Sequence, residues 1–374
     1  MMDFARYFAP EAVRERTLSR VLERVPDAVP DQPLKPNMLI EGDNLTALKA
    51  LLKSGLAGQI DLVYIDPPYA TGNVFSMDED RASTISRTRN GRTAYDDRLT
   101  GVEFLEFLHA RILLLRALLS ESGSFYLHMD YKIGHYVKIV CDEIFGVENF
   151  RNDISRIKCN PKNFSRTGYG NIKDLILFYT KTDRAYWNEP QQAYSESDLE
   201  RLFPKRDAQG RAYTTIPLHA PGETANGPTS APFKGLSPPK GRHWRTDVQT
   251  LESWDERGLI EWSKTGNPRK IIYADEQSGK RVQDVWEFKD PQYSVYPTEK
   301  NLDMLRLIVR TSCPPNGLVL DAFCGSGTTL AAAQAEGRRW IGIDRSPEAL
   351  AVAARKVGGA GLFEEPLQTW RITP

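Results

Sequence analysis

Four consecutive residues, Asp66-Pro67-Pro68-Tyr69, combine side chains that can hold the exocyclic amine of a nucleic acid base. Such a nitrogen is a poor nucleophile because its lone pair is conjugated into the ring. The Asp66 carboxylate and the Pro67 carbonyl can each accept one N–H, which directs the lone pair at an electrophilic carbon. The prolines fix the backbone, and Tyr69 offers a ring on which an extruded base can stack. The alternative is a strand capped by a Pro-Pro turn with a surface tyrosine.

A glycine turn in residues 318–333, LVLDAFCGSGTTLAAA, is the second motif that could do chemistry. Gly325 and Gly327 allow close approach of a ligand, and the helix that follows presents unpaired amides. Asp321 ends one strand and could receive an ammonium, while Asp344 ends the next and could hold two ribose hydroxyls. The turn lacks the third glycine of a dinucleotide site and the lysine of a phosphate loop. S-adenosylmethionine suits it better; the alternative is a tight strand–helix connection.

Both motifs follow apolar runs that are typical of buried strands. The run IDLVYI, over residues 60–65, ends at Asp66, and the run LVLD ends at Asp321. Strand patterns of this kind alternate with helix patterns, which predicts a parallel sheet covered by helices. Residues 76–100 are polar and aperiodic, so they predict a mobile loop. Asn44 is the predicted N-cap of the first helix inside this region.

The alternation is interrupted between residues 181 and 290, where turn residues crowd and five of the seven tryptophans lie. Residues 151–250 hold 16 Lys/Arg against 10 Asp/Glu, a local basic excess. We therefore predict an N-terminal helical extension (1–36), a discontinuous catalytic domain (37–180 and 291–374) and an inserted target-recognition module (181–290).

Composition restricts the class of protein. The chain has 374 residues with 49 Lys+Arg and 49 Asp+Glu, and a balanced charge does not exclude a nucleic acid partner, because the local field of one face decides. The four cysteines are widely spaced and the five histidines are dispersed, so neither a disulfide framework nor a metal site is predicted. No apolar window reaches about 18 residues, which predicts a cytoplasmic protein without membrane attachment.

Together these motifs resemble those of the amino-group DNA methyltransferases, which form N6-methyladenine or N4-methylcytosine. The catalytic segment precedes the Phe-x-Gly-x-Gly segment that contains Phe323, an order similar to that of the beta group. MLIEGDNLTALKALL, GSFYLHMD and YPTEKNLDMLRLIV also fall in that group's order, so the resemblance covers most of the chain. It implies an α/β, Rossmann-like, S-adenosylmethionine-dependent sheet with permuted strand order.

The resemblance also implies a cofactor site for S-adenosylmethionine. Asp321 would receive the ammonium and Asp344 the ribose hydroxyls, Asp43 would lie near the adenine, and Thr298 and Lys300 would lie near the carboxylate end. The full predicted set is Asp43, Asp66, Thr298, Lys300, Asp321, Phe323, Gly325, Gly327 and Asp344. The family often has His at the position of Tyr296 and Pro at that of Asn301, two departures in this chain.

Basic residues near the insertion are candidates for DNA contact. Arginine can bind guanine through two hydrogen bonds, and basic side chains in general hold phosphates. The predicted DNA-binding residues are Lys162, Arg166, Arg242, His243, Trp244 and Arg245. The alternative for each is a solvated loop with ordinary charges.

The resulting prediction is transfer of a methyl group to the N6 amine of adenine in duplex DNA, by base flipping and direct displacement. Adenine is favoured because the resemblance associates Asp66 at the first motif position with adenine. The alternatives are N4-cytosine methylation, methylation of RNA or of a protein glutamine, and a catalytically silent DNA-binding specificity subunit. IDPPYATGN is also similar to type III modification subunits, but the length favours a solitary or type II-like enzyme of a bacterial, archaeal or phage type. Besides duplex DNA, the predicted partners are a cognate restriction endonuclease and a second copy of the chain.

Overall fold

The computed structural model describes residues 13, 16–28, 35–68, 74–78, 81–82, 92–96, 101–161, 167–291, 299–358 and 368–372. The chain divides into two units. Unit 1 comprises Met1–Pro190 and Gln283–Pro374, and unit 2 comprises Gln191–Val282. Unit 2 therefore falls inside the predicted module 181–290, and the role predicted for that module stays a prediction.

In chain order the strands are β1 (Met38–Glu41), β2 (Ile60–Ile65), β3 (Val74–Asp78), β4 (Arg81–Ala82), β5 (Arg92–Asp96), β6 (Leu119–Met129), β7 (Phe150–Ile157), β8 (Lys173–Thr180), β9 (Gln191–Gln192), β10 (Lys205–Arg206), β11 (Ala212–Pro217), β12 (His219–Pro221), β13 (Arg242–Trp244), β14 (Ile260–Trp262), β15 (Pro268–Tyr273), β16 (Lys280–Arg281), β17 (Val285–Trp286), β18 (Leu318–Asp321), β19 (Arg339–Asp344) and β20 (Gln368–Arg371).

The helices are α1 (Leu18–Arg24), α2 (Asn44–Leu51), α3 (Gly101–Leu118), α4 (Gly134–Phe145), α5 (Glu196–Leu202), α6 (Val248–Glu256), α7 (Leu302–Ser312), α8 (Thr328–Ala335) and α9 (Pro347–Gly358). A π-helical turn (Leu52–Leu56) follows α2, and 3₁₀ turns occupy Val147–Asn149 and Ala274–Glu276. Within the part of the chain that the structure describes, no helix is long and apolar enough to cross a lipid bilayer.

Unit 1 is built on a nine-stranded sheet with the order β17-β7-β8-β6-β2-β18-β19-β1-β20. All neighbouring pairs run parallel except those of β8, which is antiparallel to both β6 and β7. The fully parallel sheet predicted from the sequence is thus corrected at one strand. Between β7 and β8 the described residues form no crossover helix, and a return without such a crossover is antiparallel. The α/β class and the Rossmann-like sheet are confirmed.

The core of unit 1 lies where apolar strands and helices meet. In β2, five of the six residues are buried, which explains why IDLVYI shows no alternation of apolar and polar residues. Helix α3 buries Leu108, Ile112 and Leu115 on the same core, a spacing of three to four residues. Val21 and Val25, in α1 and directly after it, pack there too, so the described part of the N-terminal extension packs on unit 1.

Part of the predicted mobile loop over 76–100 is ordered as strands. β3 pairs antiparallel with both β4 and β5, in a three-stranded sheet of its own. Short antiparallel pairing satisfies backbone hydrogen bonds locally, so a polar segment without apolar periodicity can still form strands. The prediction of a loop is wrong for these three strands, and the rest of the segment lies outside the described residues.

Unit 2 contains a four-stranded antiparallel sheet, β10-β11-β15-β14, and two two-stranded ribbons, β12-β13 and β16-β9. Its small core consists of Leu218, Phe233, Trp244, Leu251 and Ile260. Trp262 stacks on Phe233 with ring centroids 5.9 Å apart. The tryptophans at 187 and 286 belong to unit 1 instead, where Trp286 of β17 extends the large sheet.

Candidate active site

Four acidic residues follow the carboxyl ends of neighbouring parallel strands. Asp66 follows β2, Asp321 ends β18, Asp344 ends β19 and Asp43 lies two residues after β1. The strands are adjacent in the order β2-β18-β19-β1, all parallel. Because ligands of open α/β sheets bind outside the carboxyl ends of the strands, these acids mark one crevice. Segments from opposite ends of the sequence thus meet at one edge of the sheet.

Asp66 is held by a cation at this edge. Its carboxylate forms an ion pair with the Lys300 ammonium, and the two side chains are 17% and 12% exposed. Pro67 is buried and Pro68 is half-buried. Lys300 was predicted near the carboxylate end of a cofactor, and the structure shows that it pairs with Asp66 of the segment predicted to be catalytic. Tyr69 lies outside the described residues, so its stacking role stays a prediction.

A buried polar chain runs across the sheet beside Asp66. The Tyr64 hydroxyl lies 2.8 Å from His128 Nδ1, and His128 Nε2 lies 3.1 Å from an Asp174 oxygen. Burial opposes ionisation of Asp174, but His128 and Lys158 lower its pKa far below the usual range. Since a carboxylate only accepts hydrogen bonds, His128 Nε2 carries the proton and Nδ1 accepts from Tyr64. Burial lowers the pKa of His128, which keeps the imidazole neutral.

This row of hydrogen-bonded side chains connects the end of β2 to β6 and β8, and it was not predicted from the sequence. Arg156 and Lys158 complete it at the far side, with Lys158 Nζ 2.6 Å from Asp174 and an Arg156 nitrogen 3.4 Å from it. The available signal was a histidine inside the apolar run GSFYLHM, at a position that a strand buries on both faces.

Asp321 is a buried acid placed to receive a ligand cation. Its residue is 2% exposed, and burial raises its pKa to about 7 although Thr329 and the Phe323 amide oppose the shift. The Phe323 N–H donates to it at 3.0 Å. Among the described residues no Lys or Arg forms an ion pair with Asp321. An ammonium from a ligand would compensate this carboxylate.

The two glycines of the turn have different structural roles. Gly325 has φ +49° and a Cβ there would meet nothing within 4 Å, so the turn leaves open space. Gly327 has φ +75°, and a Cβ there would lie 2.6 Å from the Ala353 Cβ of α9. Both conformations favour glycine. Gly325 therefore faces space that a ligand can use, whereas Gly327 is required by helix packing.

Asp344 holds the glycine turn in place. One of its oxygens accepts from the Gly325 N–H at 2.8 Å and the other from the Ser346 N–H at 2.9 Å. Burial raises the pKa of Asp344, against the effect of these hydrogen bonds. The residue predicted to bind ribose hydroxyls thus fixes the glycine turn.

Asp43, rather than the predicted Asn44, is the N-cap of α2. Its carboxylate accepts from the Thr46 N–H at 3.1 Å, a contact that a cap side chain makes and that Asn44, inside the helix, does not. Arg111 and Arg345 each place a nitrogen 3.1 Å from Asp43, and their charges lower its pKa against the effect of burial. Its predicted place near a cofactor adenine stays a prediction.

The departure at Asn301 has a structural reason. Asn301 is the N-cap of α7, and its side chain accepts from the Met304 N–H at 3.1 Å. A proline there would lack this acceptor, and such a cap contributes about 1 kcal/mol. Thr298 and Tyr296 of the same segment lie outside the described residues.

These features fit S-adenosylmethionine. Asp321 offers a buried carboxylate without a cationic partner among the described side chains, and Gly325 leaves room beside it. Phe323 is partly buried and lies tilted against Phe107, with ring centroids 6.1 Å apart. The ammonium of this cofactor matches Asp321, and its ribose matches the second acid, Asp344. The cofactor has no phosphate, which matches a glycine turn without a lysine.

Three arginines of unit 2, Arg242, Arg245 and Arg269, carry charges that act on His219. Arg242 lies 3.1 Å from the imidazole and Arg245 donates to the Pro217 carbonyl at 3.1 Å. Burial and the charges of the three arginines lower the pKa of His219. No carboxylate among the described residues forms an ion pair with any of the three. We call this set the arginine cluster.

The predicted DNA-binding residues differ in their exposure to solvent. Arg242 and Arg245 are exposed, and His243 Nδ1 lies 2.7 Å from the Gly222 carbonyl. Trp244 is 1% exposed in the core of unit 2 and donates to the Ala231 carbonyl, so we correct its assignment from DNA contact to core. Lys162 and Arg166 lie outside the described residues. Arg269 and His219 could not be predicted from the sequence because they join the cluster only through strand pairing.

The four cysteines are free, and the described residues contain no group of three His, Cys, Asp or Glu side chains that could hold a metal ion. The site therefore consists of carboxylates, a lysine and a glycine turn.

A sheet that sets a carboxylate-Pro-Pro segment beside such a turn defines a Rossmann-like methyltransferase. A family model for DNA methylases matches residues 60–355. The type II methyltransferase M.EcaI of Enterobacter cloacae is 41% identical over 317 residues, which cover 83% of this chain and 67% of M.EcaI. The chain belongs to the amino-group DNA methylase family, whose methyl donor is S-adenosylmethionine, and the resemblance found in the sequence is confirmed.

Two further similarities accompany this match. The Mod subunit of the type III restriction-modification enzyme StyLTI of Salmonella typhimurium is 27% identical over 344 residues, which cover 80% of this chain and 50% of that subunit. The crystal structure of the M1.HpyAVI–SAM complex shares 16% identity, covers 85% of this chain and 98% of that one, and has a TM-score of 0.45. The chain thus spans only half the length of the StyLTI subunit.

Proposed function

We propose that this protein transfers the methyl group of S-adenosylmethionine to the N6 amine of adenine in duplex DNA. The observation that carries the proposal is the adjacency of β2 and β18, which places Asp66 next to Asp321 and the glycine turn. An amine acceptor and an ammonium acceptor at neighbouring strand ends suit a reaction between a base and an amino acid-bearing methyl donor.

Each proposed catalytic residue has a defined task. S-adenosylmethionine supplies an electrophilic methyl group on a sulfonium. Asp66 and the Pro67 carbonyl accept the two N–H groups of the target amine, while Pro68 fixes the turn and Tyr69 stacks on the flipped base. A carboxylate accepts several hydrogen bonds, so Asp66 can serve Lys300 and the amine together. Positioning supplies most of the rate, and no covalent enzyme intermediate forms.

The proposed cofactor contacts follow from the same edge of the sheet. Asp321 takes the ammonium, Lys300 and Thr298 take the carboxylate end, and Asp344 takes the ribose. Asp43 lies at the adenine end, and Phe323, Gly325 and Gly327 form the turn that faces the cofactor. The support is the burial of Asp321 and the open space at Gly325.

Unit 2 is the proposed DNA-reading unit. Three guanidinium groups that act on one histidine, and that form no ion pair with a carboxylate in the described part of the chain, suit phosphate oxygens or guanine edges. Arg242, Arg245 and Arg269 are the proposed contacts, with His243 beside them and Lys162 and Arg166 as further phosphate contacts. The cluster supports duplex DNA as the substrate.

A restriction endonuclease is the proposed functional partner. M.EcaI is a type II methyltransferase and the StyLTI subunit belongs to a type III restriction-modification enzyme, and both are similar to this chain. Methylation would protect host DNA from the endonuclease in the cytoplasm of a bacterial cell. A second copy of the chain is a further proposed partner.

Methyl transfer to defined substrates tests the function. Purified protein and labelled S-adenosylmethionine are incubated with duplex DNA, RNA or bacterial protein. The nucleic acids are then digested, and the methylated nucleosides are identified by mass spectrometry. We expect label in duplex DNA as N6-methyldeoxyadenosine. N4-methyldeoxycytidine would refute the adenine assignment, label only in RNA or protein would refute the DNA substrate, and DNA binding without label would indicate a specificity subunit. Modified-base sequencing of the product gives the recognition site.

A further inference from the structure

Lys356 of α9 forms three short contacts near the glycine turn. Its ammonium lies 2.6 Å from a Glu299 carboxylate oxygen, 3.0 Å from the Thr328 hydroxyl and 3.2 Å from the Ser326 hydroxyl. A lysine ammonium has three N–H donors, so these contacts use all of them. Ser326 and Thr328 are 5% and 7% exposed, which places the ammonium among groups largely removed from water.

The three partners come from two separate segments of the proposed cofactor site. Ser326 lies inside the glycine turn and Thr328 is the first residue of α8, whereas Glu299 directly precedes Lys300, the residue that pairs with Asp66. One side chain therefore ties the turn to the segment that reaches the catalytic carboxylate. Helix α9 also contacts the turn through Ala353, against which Gly327 packs.

The ion pair is sheltered enough to hold these segments firmly. The Lys356 and Glu299 side chains are 23% and 16% exposed. A charged hydrogen bond in such surroundings is stronger than one on the open surface. Without this ion pair, the segments on either side of the proposed ammonium and carboxylate contacts would be free to separate.

We propose that Lys356 is a positioning residue that sets the distance between the glycine turn and the Glu299-Lys300 segment, and thereby the affinity for the amino acid end of the cofactor. Lys356 acts through Ser326, Thr328 and Glu299 rather than by touching the reacting atoms. The inference rests on the proposed cofactor site.

The test compares Lys356→Met with Arg355→Met, its neighbour on α9, in the full-length protein. Arg355 is a control on the same helix because it is exposed and its side chain donates to the Ala351 carbonyl of that helix. Calorimetry measures the Kd of S-adenosylhomocysteine, steady-state kinetics separate KM from kcat, and thermal denaturation gives Tm. For Lys356→Met we expect Kd and the KM for S-adenosylmethionine to rise about 10-fold or more, as for loss of a charged hydrogen bond, with kcat changed less than about threefold.

Two further variants keep the result decisive. Lys356→Arg should recover much of the affinity because the charge is kept, and Glu299→Gln should weaken binding in the same direction as Lys356→Met. A lower Tm with unchanged Kd in Lys356→Met, or equal effects of Lys356→Met and Arg355→Met, would overturn the proposal. If Lys356→Met does not fold, an unchanged Kd in Glu299→Gln would overturn the proposal. Because S-adenosylhomocysteine binding needs no methyl acceptor, a wrong target base would leave this result intact.

Discussion

The ammonium of Lys300 pairs with the carboxylate of Asp66, so a residue from the second half of the sequence orients the proposed catalytic group. Both side chains are largely shielded from water, which makes the pair stronger than one on the open surface. The same lysine was expected at the carboxylate end of the cofactor. In the proposed site, Lys300 thus serves both the target amine and the cofactor.

Lys300→Met should impair both functions at once. We expect a fall of about 10-fold in cofactor affinity and of about 10- to 100-fold in single-turnover rate at saturating cofactor, because a misplaced acceptor lowers the rate steeply. Calorimetry and rapid-quench kinetics measure the two effects. Lys289→Met, at an exposed position, is the control. A single-turnover rate equal to that of the wild type would show that the ion pair has no role in orienting Asp66.

Cofactor binding should depend on pH through Asp321. Burial raises the pKa of its carboxyl to about 7, so the free protein holds a proton there that the cofactor ammonium displaces. Affinity should rise with pH up to about 7 and fall above about 8, where the cofactor's own amine loses its proton. Calorimetry in buffers of different ionisation enthalpy should detect proton release near pH 7. Asp321→Asn should bind weakly and lose the rise below pH 7; a retained rise would refute this assignment.

The same shift affects the stability of the free protein. The unfolded carboxyl ionises near pH 4, whereas the folded one keeps its proton up to about 7. The folded state therefore binds more protons in this window, and the Asp321 contribution to stability declines as pH rises from about 4 to about 7. Bound cofactor should reduce this decline.

The two glycines of the turn should respond differently to alanine. Gly327→Ala meets Ala353 and adopts a left-handed conformation, so we expect a loss of about 3 kcal/mol in the free energy of unfolding. Gly325→Ala meets open space, so about 1–2 kcal/mol of backbone strain is expected with a clear loss of cofactor affinity. Denaturant unfolding and calorimetry measure both. Equal stability losses, or unimpaired cofactor binding in Gly325→Ala, would contradict this division.

In unit 2, substitution of a core residue should lower stability, whereas substitution of a proposed DNA contact should weaken DNA binding. Trp244→Ala should destabilise unit 2 by about 3–5 kcal/mol, since it removes a large buried ring. Arg242→Ala should leave Tm nearly unchanged, whereas Arg269→Ala should lower it because two hydrogen bonds to Thr215 are lost. Both variants should weaken DNA binding and lower the slope of log K against log salt by about one each. Fluorescence anisotropy over a salt series measures this, with exposed Lys264→Ala as control. Unchanged affinity in both arginine variants would remove the cluster from the DNA interface.

The sequence was informative where chemistry and burial coincide in one short segment. The runs before Asp66 and Asp321 are apolar except for Asp61, which identifies buried strands, and parallel strands bring their carboxyl ends to one edge. The direction of β8 could not be read because hydropathy carries no information on strand direction. The pairing of Lys300 with Asp66 joins residues far apart in the chain, and no local pattern signals it.

Misassigned residues share a physical cause. Trp244 stands among arginines and a histidine, which suggests a surface, yet its ring packs in the core of unit 2 and donates to the Ala231 carbonyl. The buried contacts of Tyr64, His128 and Asp174 span three strands, so each residue alone looks like an ordinary polar position in a strand. Tertiary pairing decides both cases.

The account rests on Asp66 as acceptor of the target amine, and the turnover of Asp66→Ala tests it most directly. Methyl transfer to duplex DNA is measured with labelled S-adenosylmethionine, alongside the Kd of S-adenosylhomocysteine. We predict a fall in kcat of at least about 10³-fold, the scale of losing a preorganised hydrogen-bond partner, with Kd within about 10-fold of the wild type. Turnover close to that of the wild type in a variant that binds cofactor normally would contradict the account.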